Sequence, residues 1–225
     1  MTTWHQNGSY RAAGVPARRY HGSRPRRRGR RLLVVVTLLA VAIGGGVAAW
    51  LTLPQWYPGW MPSQVGRAAF PLAHTAVIRE AAARRDLDPA LVAAVIYTES
   101  GFDEQVKSPS GAIGLMQIMP STAAEIARMT EGYRFRQADL DTPRVNILYG
   151  CYLLRVLLDR YHGSVVESLA AYNAGPGNVD SWIAARGGAA LRVSDLDFAE
   201  TRAYVAKVLR FTSVYRDVYG PVLGH

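Results

Sequence analysis

Hydrophobic residues recur at helical spacing, every three or four positions, along most of the chain after residue 71. Pro, Gly and capping side chains stand between these runs and divide them into separate helices. The pattern predicts a compact all-α domain of six or seven helices, at approximately 72–85, 89–100, 122–129, 142–162, 164–174, 178–186 and 198–219. We find no convincing alternation with the period of two that is typical of strands, and no repeat at a fixed spacing.

Capping residues indicate where several of these helices begin. Asp88 stands immediately before Pro89–Ser100 and has a side chain that can cap that helix. Thr122 with Glu125, and Ser164 with Glu167, have the spacing of a capping box. We therefore expect helices to start at these two pairs as well.

An uncharged apolar segment of 22 residues, 32–53, precedes the helical part of the chain. As a helix it would be about 33 Å long, enough to cross a hydrocarbon core of roughly 30 Å. Six Arg between Arg24 and Arg31 flank it, which predicts a single-pass signal anchor with a cytoplasmic N-terminus and an exported remainder. A cleavable signal peptide, cut after Ala49, is the alternative.

The net charge of +9 comes from the N-terminal arm, residues 1–31, which holds nine Arg and no acid. The rest of the chain balances 17 basic against 17 acidic residues, so we expect no nucleic-acid partner. Residues 54–71 contain four Pro and two Gly and are interpreted as a linker, which leaves 72–220 as the folded domain.

One acid interrupts an apolar helical face. Glu99 follows, at helical spacing, a stripe that is otherwise aliphatic and consists of Leu91, Val92, Val95 and Ile96. Burial and the negative end of the helix dipole both raise the pKa of a carboxyl group. An acid that is protonated near neutral pH can donate a proton to a leaving oxygen, as glycoside cleavage requires.

Two irregular segments supply candidate binding groups. The sequence "KSPSGAIGLMQIMP" has neither helical nor strand periodicity and is predicted to be an ordered loop. The sequence "AAYNAGPGNV" places Tyr172 and Asn173 at the end of a helix, before a turn. An aromatic ring and an amide together suit a sugar that bears N-acetyl groups.

No metal site or cofactor is expected. The single Cys151 lies in an apolar helical pattern, which is typical of a buried structural thiol. The five histidines have no ligand spacing: His5, His21, His74, His162 and His225.

Three segments, "ESGFDEQVKSPSGAIGLMQIMPSTA", "AAYNAGPGNV" and "ETRAYVAKVL", resemble the signature segments of the soluble lytic transglycosylase catalytic domain, in the same order. The resemblance covers about 72–219. It implies a goose-type, lysozyme-like fold. It also implies an enzyme that cuts the β-1,4 bond between N-acetylmuramic acid and N-acetylglucosamine in peptidoglycan without water, which leaves a 1,6-anhydro ring.

The resemblance also implies roles for single residues. Glu99 corresponds to the one acid, which then acts as the base. Ser108, Gln117, Met119, Tyr172, Asn173 and Tyr204 correspond to substrate-binding positions, and Glu200 to a position that supports the site with Tyr204. Glu104 stands where the family commonly has Pro, which touches no chemical role.

One carboxylate suffices for this chemistry. Hydrolases of such bonds usually use two, about 5 to 9.5 Å apart. In a transglycosylase the C6 hydroxyl of the substrate attacks within the same molecule, and oriented intramolecular attack contributes roughly 7 kcal/mol or more. Asp103 and Glu104, the nearest other acids in sequence, are expected to be solvated.

These inferences together predict a lytic transglycosylase of the bacterial inner membrane, with its catalytic domain in the periplasm or otherwise outside the cytoplasm. Its partners would be peptidoglycan strands, the membrane through residues 32–53, and possible cell-wall synthesis or secretion machinery. A non-catalytic peptidoglycan-binding module and a hydrolytic muramidase stay open as alternatives.

Overall fold

The computed structural model describes residues 63–130 and 136–224, with side chains from residue 66 onward. Eight α-helices occur in these ranges: α1 Ser63–Ala69, α2 Thr75–Arg84, α3 Pro89–Ser100, α4 Pro120–Met129, α5 Pro143–Arg160, α6 Val165–Ala174, α7 Pro176–Ala185 and α8 Ala199–Leu223. Two short 3-10 turns, Gln137–Asp141 and Val193–Asp195, connect some of them. The extended pairings in the described ranges are isolated bridges around Ile113, so the predicted all-α class is confirmed.

The predicted basic arm, 1–31, and the predicted membrane anchor, 32–53, lie outside the described residues. Within 63–130 and 136–224, no helix combines the length and apolar character needed to cross a membrane. The prediction of an anchor therefore stays a prediction.

Local signals explain most of the helix starts. The Asp88 carboxylate accepts a hydrogen bond from the Ala90 N–H at 2.7 Å, as predicted. Ser164 likewise accepts from the Glu167 N–H, although that contact is long, at 3.4 Å. The predicted start at Thr122 was wrong, because α4 already begins at Pro120, whose ring fixes the backbone torsion that a first helical residue needs.

The core forms around α3. Its seven consecutive residues 90–96 are all buried, which means that the helix is covered on every side. It packs along α8, and α6 packs against α8 and α5. This arrangement brings the ends of three helices, α3, α6 and the first half of α8, into one region.

Residues 63–71 belong to the fold, which corrects the prediction of a linker over 54–71. Phe70 is 1% exposed, and its ring centroid lies 5.6 Å from that of Tyr97 and 5.6 Å from that of Phe211. Tyr219 donates a hydrogen bond to the Phe70 carbonyl and Tyr215 to the Pro71 carbonyl, both at 2.8 Å. The buried aromatic ring and the satisfied carbonyls hold this segment in place despite its Pro and Gly content.

Two further details refine the sequence picture. α8 continues past Pro221 to Leu223, beyond the predicted end at Tyr219, because a proline in the last turn removes only one backbone hydrogen bond. Cys151 is fully buried, as predicted, and burial raises the pKa of its thiol to about 12.

Candidate active site

Glu99 lies in the last turn of α3, partly buried, with the hydrophobic core behind it. The Tyr204 hydroxyl donates a hydrogen bond to Glu99 Oε1 at 2.7 Å. Burial raises the pKa of Glu99 to about 7, against the opposing effects of that hydrogen bond and of the Lys207 charge. The carboxyl group is thus half protonated near neutral pH and can serve as a proton donor.

Two tyrosines accompany the acid. Tyr204 from α8 is buried, and Tyr172 from α6 donates a hydrogen bond to the Met116 carbonyl at 2.7 Å. Burial, together with the negative charge of Glu99, holds the pKa of both phenols well above the usual range. Both therefore stay neutral hydrogen-bond donors at the pH at which Glu99 titrates.

The loop between α3 and α4 is tied to the helix that carries the acid. Ser100 Oγ lies 2.9 Å from the Leu115 carbonyl and accepts a hydrogen bond from the Phe102 N–H at 3.2 Å. The loop is also held from α5 by Asn146, which is 1% exposed. Its amide oxygen accepts from the Met116 N–H at 2.8 Å, and its amide nitrogen donates to the Ile113 carbonyl at 2.7 Å.

The loop residues expected to bind substrate have different surroundings. Ser108 Oγ lies 2.8 Å from Ser110 Oγ and accepts from the Ala112 N–H at 2.9 Å. Gln117 Nε2 donates to the carbonyls of Val106, at 3.0 Å, and Gly114, at 2.9 Å. Both side chains thus shape the loop itself, and the Gln117 amide oxygen is the group that this side chain offers to a ligand.

Met119 and Asn173 are open to solvent. Met119, immediately before α4, is 37% exposed. Asn173 is exposed at the end of α6, and its amide oxygen accepts a hydrogen bond from Thr201 Oγ1 at 2.8 Å. That bond joins the end of α6 to the first turn of α8.

The other acids near the site lie at the surface. Glu200 is exposed in the first turn of α8, on the same helix as Tyr204, with which it was expected to support the site. Of these two residues, Tyr204 forms the hydrogen bond to Glu99. Asp103 and Glu104 are exposed, as predicted. Asp103 accepts from the Gln105 N–H at 2.9 Å, and Glu104 lies 2.9 Å from His74 Nε2.

Sequence comparison assigns this arrangement to a family. The profile described as the transglycosylase SLT domain matches residues 76–193, which is more than half of the chain. The chain belongs to this family. The match includes Glu99 and Tyr172, whereas Tyr204 and the whole of α1 lie beyond its ends.

Known members of the SLT family are similar over the same region. The soluble lytic murein transglycosylase of Escherichia coli (strain K12) is 37% identical over 156 residues, which cover 67% of this chain and 24% of that protein. The crystal structure of the 70 kDa soluble lytic transglycosylase from Escherichia coli superposes with a TM-score of 0.63 at 33% identity, over 70% of this chain and 26% of that one. An inactive mutant of the lytic transglycosylase Slt from Pseudomonas aeruginosa superposes with a TM-score of 0.61 at 34% identity, over 67% and 25%. The chain thus spans about a quarter of the length of these relatives, and its fold is the lysozyme-like fold of the SLT domain.

Several residues of this SLT domain were missed by sequence reasoning. Asn146, Ser100 and Thr201 position the loop and the helix ends, and Lys207 acts on Glu99 through its charge. A polar residue on an apolar helical face was the signal that marked Glu99. The same signal marks Asn146 and was available.

Proposed function

We propose that this protein is a peptidoglycan lytic transglycosylase that cleaves the β-1,4 bond between N-acetylmuramic acid and N-acetylglucosamine without water. The observation that carries the proposal is Glu99, a partly buried carboxyl with a pKa of about 7 that accepts a hydrogen bond from Tyr204 at 2.7 Å. Membership of the SLT family and the names of its relatives support the same activity.

In the first step, Glu99 donates its proton to the glycosidic oxygen. The bond between that oxygen and C1 of the muramoyl residue breaks, and the N-acetylglucosamine leaves with a free hydroxyl. The N-acetyl group of the substrate stabilises the cationic C1. The Tyr204 hydroxyl stabilises the resulting Glu99 carboxylate by a hydrogen bond, because this buried phenol stays protonated during the reaction.

In the second step, the Glu99 carboxylate accepts the proton of the C6 hydroxyl. The C6 oxygen attacks C1 and closes the 1,6-anhydro ring, which restores the protonated Glu99. The acid must therefore gain and lose a proton in each cycle, and a pKa near the operating pH suits both halves.

For the binding of the glycan, we propose the exposed groups around this acid. Met119 and Asn173 present an apolar surface and an amide, and Ser108 and Gln117 shape the loop that faces the same region. Tyr172, fixed to the Met116 carbonyl, limits how far the sugar can approach the buried side of Glu99.

We further propose that residues 32–53 anchor the protein in the bacterial inner membrane, with the N-terminus in the cytoplasm and the SLT domain in the periplasm or otherwise outside the cytoplasm. The uncharged segment and the Arg residues before it support this orientation. The peptidoglycan would then lie within reach of the domain, as would machinery for cell-wall synthesis or secretion.

The products of the reaction test the proposed function. The full-length protein, purified in detergent, is incubated with peptidoglycan, and the soluble products are analysed by mass spectrometry. We expect 1,6-anhydro muropeptides. Products with reducing ends alone would make the protein a hydrolase, and the absence of products would favour a binding module.

Glu99→Gln tests the assigned acid, since it keeps the shape of the side chain and removes its proton. We expect the rate to fall by roughly 10² to 10⁴, the typical contribution of a general acid. Glu104→Gln is the matched control, because it removes an exposed carboxyl five positions along the chain and should keep nearly the wild-type rate. A wild-type rate for Glu99→Gln would contradict the mechanism.

A further inference from the structure

The chain uses arginine for almost every positive charge: of its 26 basic residues, 24 are Arg and two are Lys. One of the two, Lys107, immediately precedes Ser108 in the loop and forms an ion pair with Asp141 at 3.1 Å. The other, Lys207, lies on α8. Lys207 is thus a compact positive charge in a chain that otherwise prefers the planar guanidinium group.

Lys207 is placed beside the acid by helical geometry. It follows Tyr204 by three positions and therefore lies on the same face of α8, one turn from the hydroxyl that contacts Glu99. Part of its side chain is exposed to solvent, and its ammonium lies 5.7 Å from the ring centroid of the buried Phe211. Among the described residues, no carboxylate forms an ion pair with this ammonium.

The charges around Lys207 favour the arrival of an anion. Arg210, one turn further along α8, lies with its guanidinium 5.1 Å from the same Phe211 ring. Partial burial and the positive charge of Arg210 lower the pKa of the Lys207 ammonium, whereas Glu99 raises it. Because no carboxylate in the described ranges pairs with the Lys207 ammonium, a negatively charged group that approaches from the solvent can form an ion pair with it.

The identity of the residue also matters. An Arg at position 207 could bind the ionised Glu99 with two parallel hydrogen bonds, which would stabilise the carboxylate and lower its pKa. A lysine is a flexible, hydrated point charge. It therefore does not need to form a two-hydrogen-bond ion pair with Glu99, and it can pair with a group of the substrate instead.

We propose that Lys207 is a specificity-determining residue that pairs with a carboxylate on the peptide stem of the substrate, beside the bond that Glu99 cleaves. This inference rests on the proposed function, since peptidoglycan strands carry peptide carboxylates and neutral glycans of similar backbone do not. Lys207 thereby selects anionic, peptide-bearing strands.

Binding of two matched substrates tests the role of Lys207. Soluble peptidoglycan strands are prepared in their native form and in a form whose carboxylates have been converted to amides with a carbodiimide and ammonia. Dissociation constants for both are measured by calorimetry with full-length Glu99→Gln, which binds without turnover. We expect this variant to bind the native strands roughly tenfold more tightly than the amidated ones, as one charge-assisted hydrogen bond contributes.

Substitutions at position 207 in the Glu99→Gln protein then show whether Lys207 causes the preference for native strands. Adding Lys207→Met should weaken the binding of native strands roughly tenfold and leave the binding of amidated strands unchanged. Adding Lys207→Arg should keep the preference, because the positive charge is retained and Glu99→Gln has removed the carboxylate that would compete for it. Arg128→Met, which removes an equal charge from a side chain that is 75% exposed on α4, should leave both affinities as they were.

The outcomes separate this inference from the proposed function. Equal losses on both strands, or no loss on either, after Lys207→Met would overturn the role of Lys207 even if the wild type releases anhydro products. Conversely, a selective loss on native strands would support it even if the wild type releases none, because binding is measured without catalysis.

Discussion

Glu99 is half protonated near neutral pH because burial outweighs two groups that favour its charged form. Tyr204 and Lys207 both lower the pKa, and the value nevertheless reaches about 7. The two opposing groups come from one face of α8, so that helix adjusts an acid carried by α3. Tyr204 and Lys207 thus change the pKa of Glu99 without themselves exchanging a proton with it.

The raised pKa predicts how Glu99 affects stability. The native state binds this proton more tightly than the unfolded chain, whose carboxyl has a pKa near 4.5. The contribution of Glu99 to stability is therefore complete below about 4.5 and is lost as the pH rises towards about 7. Glu99→Gln should consequently stabilise the protein relative to the wild type at pH 8. We expect a gain of about 2 kcal/mol, which is less than the full pKa shift would give, because solvent screens the charge of a carboxyl that is only partly buried.

Urea unfolding of both proteins at pH 4 and pH 8 checks this expectation. The gain from Glu99→Gln should be small at the lower pH and should grow with pH. Glu125→Gln removes a carboxyl that is 63% exposed and serves as the control, with little change at either pH. A gain of equal size at both pH values would show that the charge of Glu99 is not what destabilises the native state.

At the scale of elements, the loop before α4 depends on α5 for its shape. Asn146 binds two backbone groups of that loop, those of Ile113 and Met116, and its amide nitrogen also donates to the Leu140 carbonyl in the 3-10 turn before α5, at 3.0 Å. Gly150, one turn later on α5, leaves room for Met116, because a Cβ at this glycine would lie 2.2 Å from the Met116 sulfur. The loop before α4, which we propose binds the substrate, is therefore built on a helix that contributes none of the proposed catalytic groups.

Asn146→Ala should destabilise the protein by about 3 kcal/mol, because it leaves a buried N–H and buried carbonyls without their partner. The midpoint of urea unfolding measures this loss, and the rate of peptidoglycan cleavage should fall as well. Asn178→Ala is the control, since it removes one exposed hydrogen bond, to the Ala174 carbonyl, and should cost less than about 1 kcal/mol. Equal losses in the two variants would contradict the role assigned to Asn146.

At the scale of the whole molecule, charge and hydrophobicity divide the chain into parts of different composition. The positive excess lies in residues 1–31, and the remainder is balanced. Residues 63–71 pack onto α3 and α8, so the sequence between the proposed anchor and the domain is short.

Mass spectrometry of the native protein distinguishes an anchor from a cleaved signal peptide. Trypsin cuts after Arg31 and Arg67, so an uncleaved chain yields a peptide that contains the Ala49–Trp50 bond. We expect that peptide in purified membranes, and we expect protease added outside spheroplasts to digest the SLT domain. A mature N-terminus at Trp50 in the soluble fraction would instead identify a signal peptide.

Local sequence patterns were sufficient to predict the all-α class and to single out Glu99. Helical periodicity and the caps at Asp88 and Ser164 involve residues close in sequence, so they can be recognised before the fold is known. Glu99 was recognisable because a carboxyl in an apolar stripe is a local anomaly. The motif resemblance then indicated the family, which the profile match confirms, and the chemistry of Glu99 stays our proposal.

The partners of that acid, by contrast, required the tertiary structure. Tyr204 lies 105 positions from Glu99 in sequence, and Phe70 contacts a ring on α8, so composition alone described residues 63–71 as a linker. The sequence by itself determined which segments are helical and which residue we propose as the acid, because those inferences depend on neighbours along the chain. Only the fold decided which hydroxyl contacts Glu99 and which ammonium acts on it through its charge, and hence the pKa of Glu99, because burial and charge act through space.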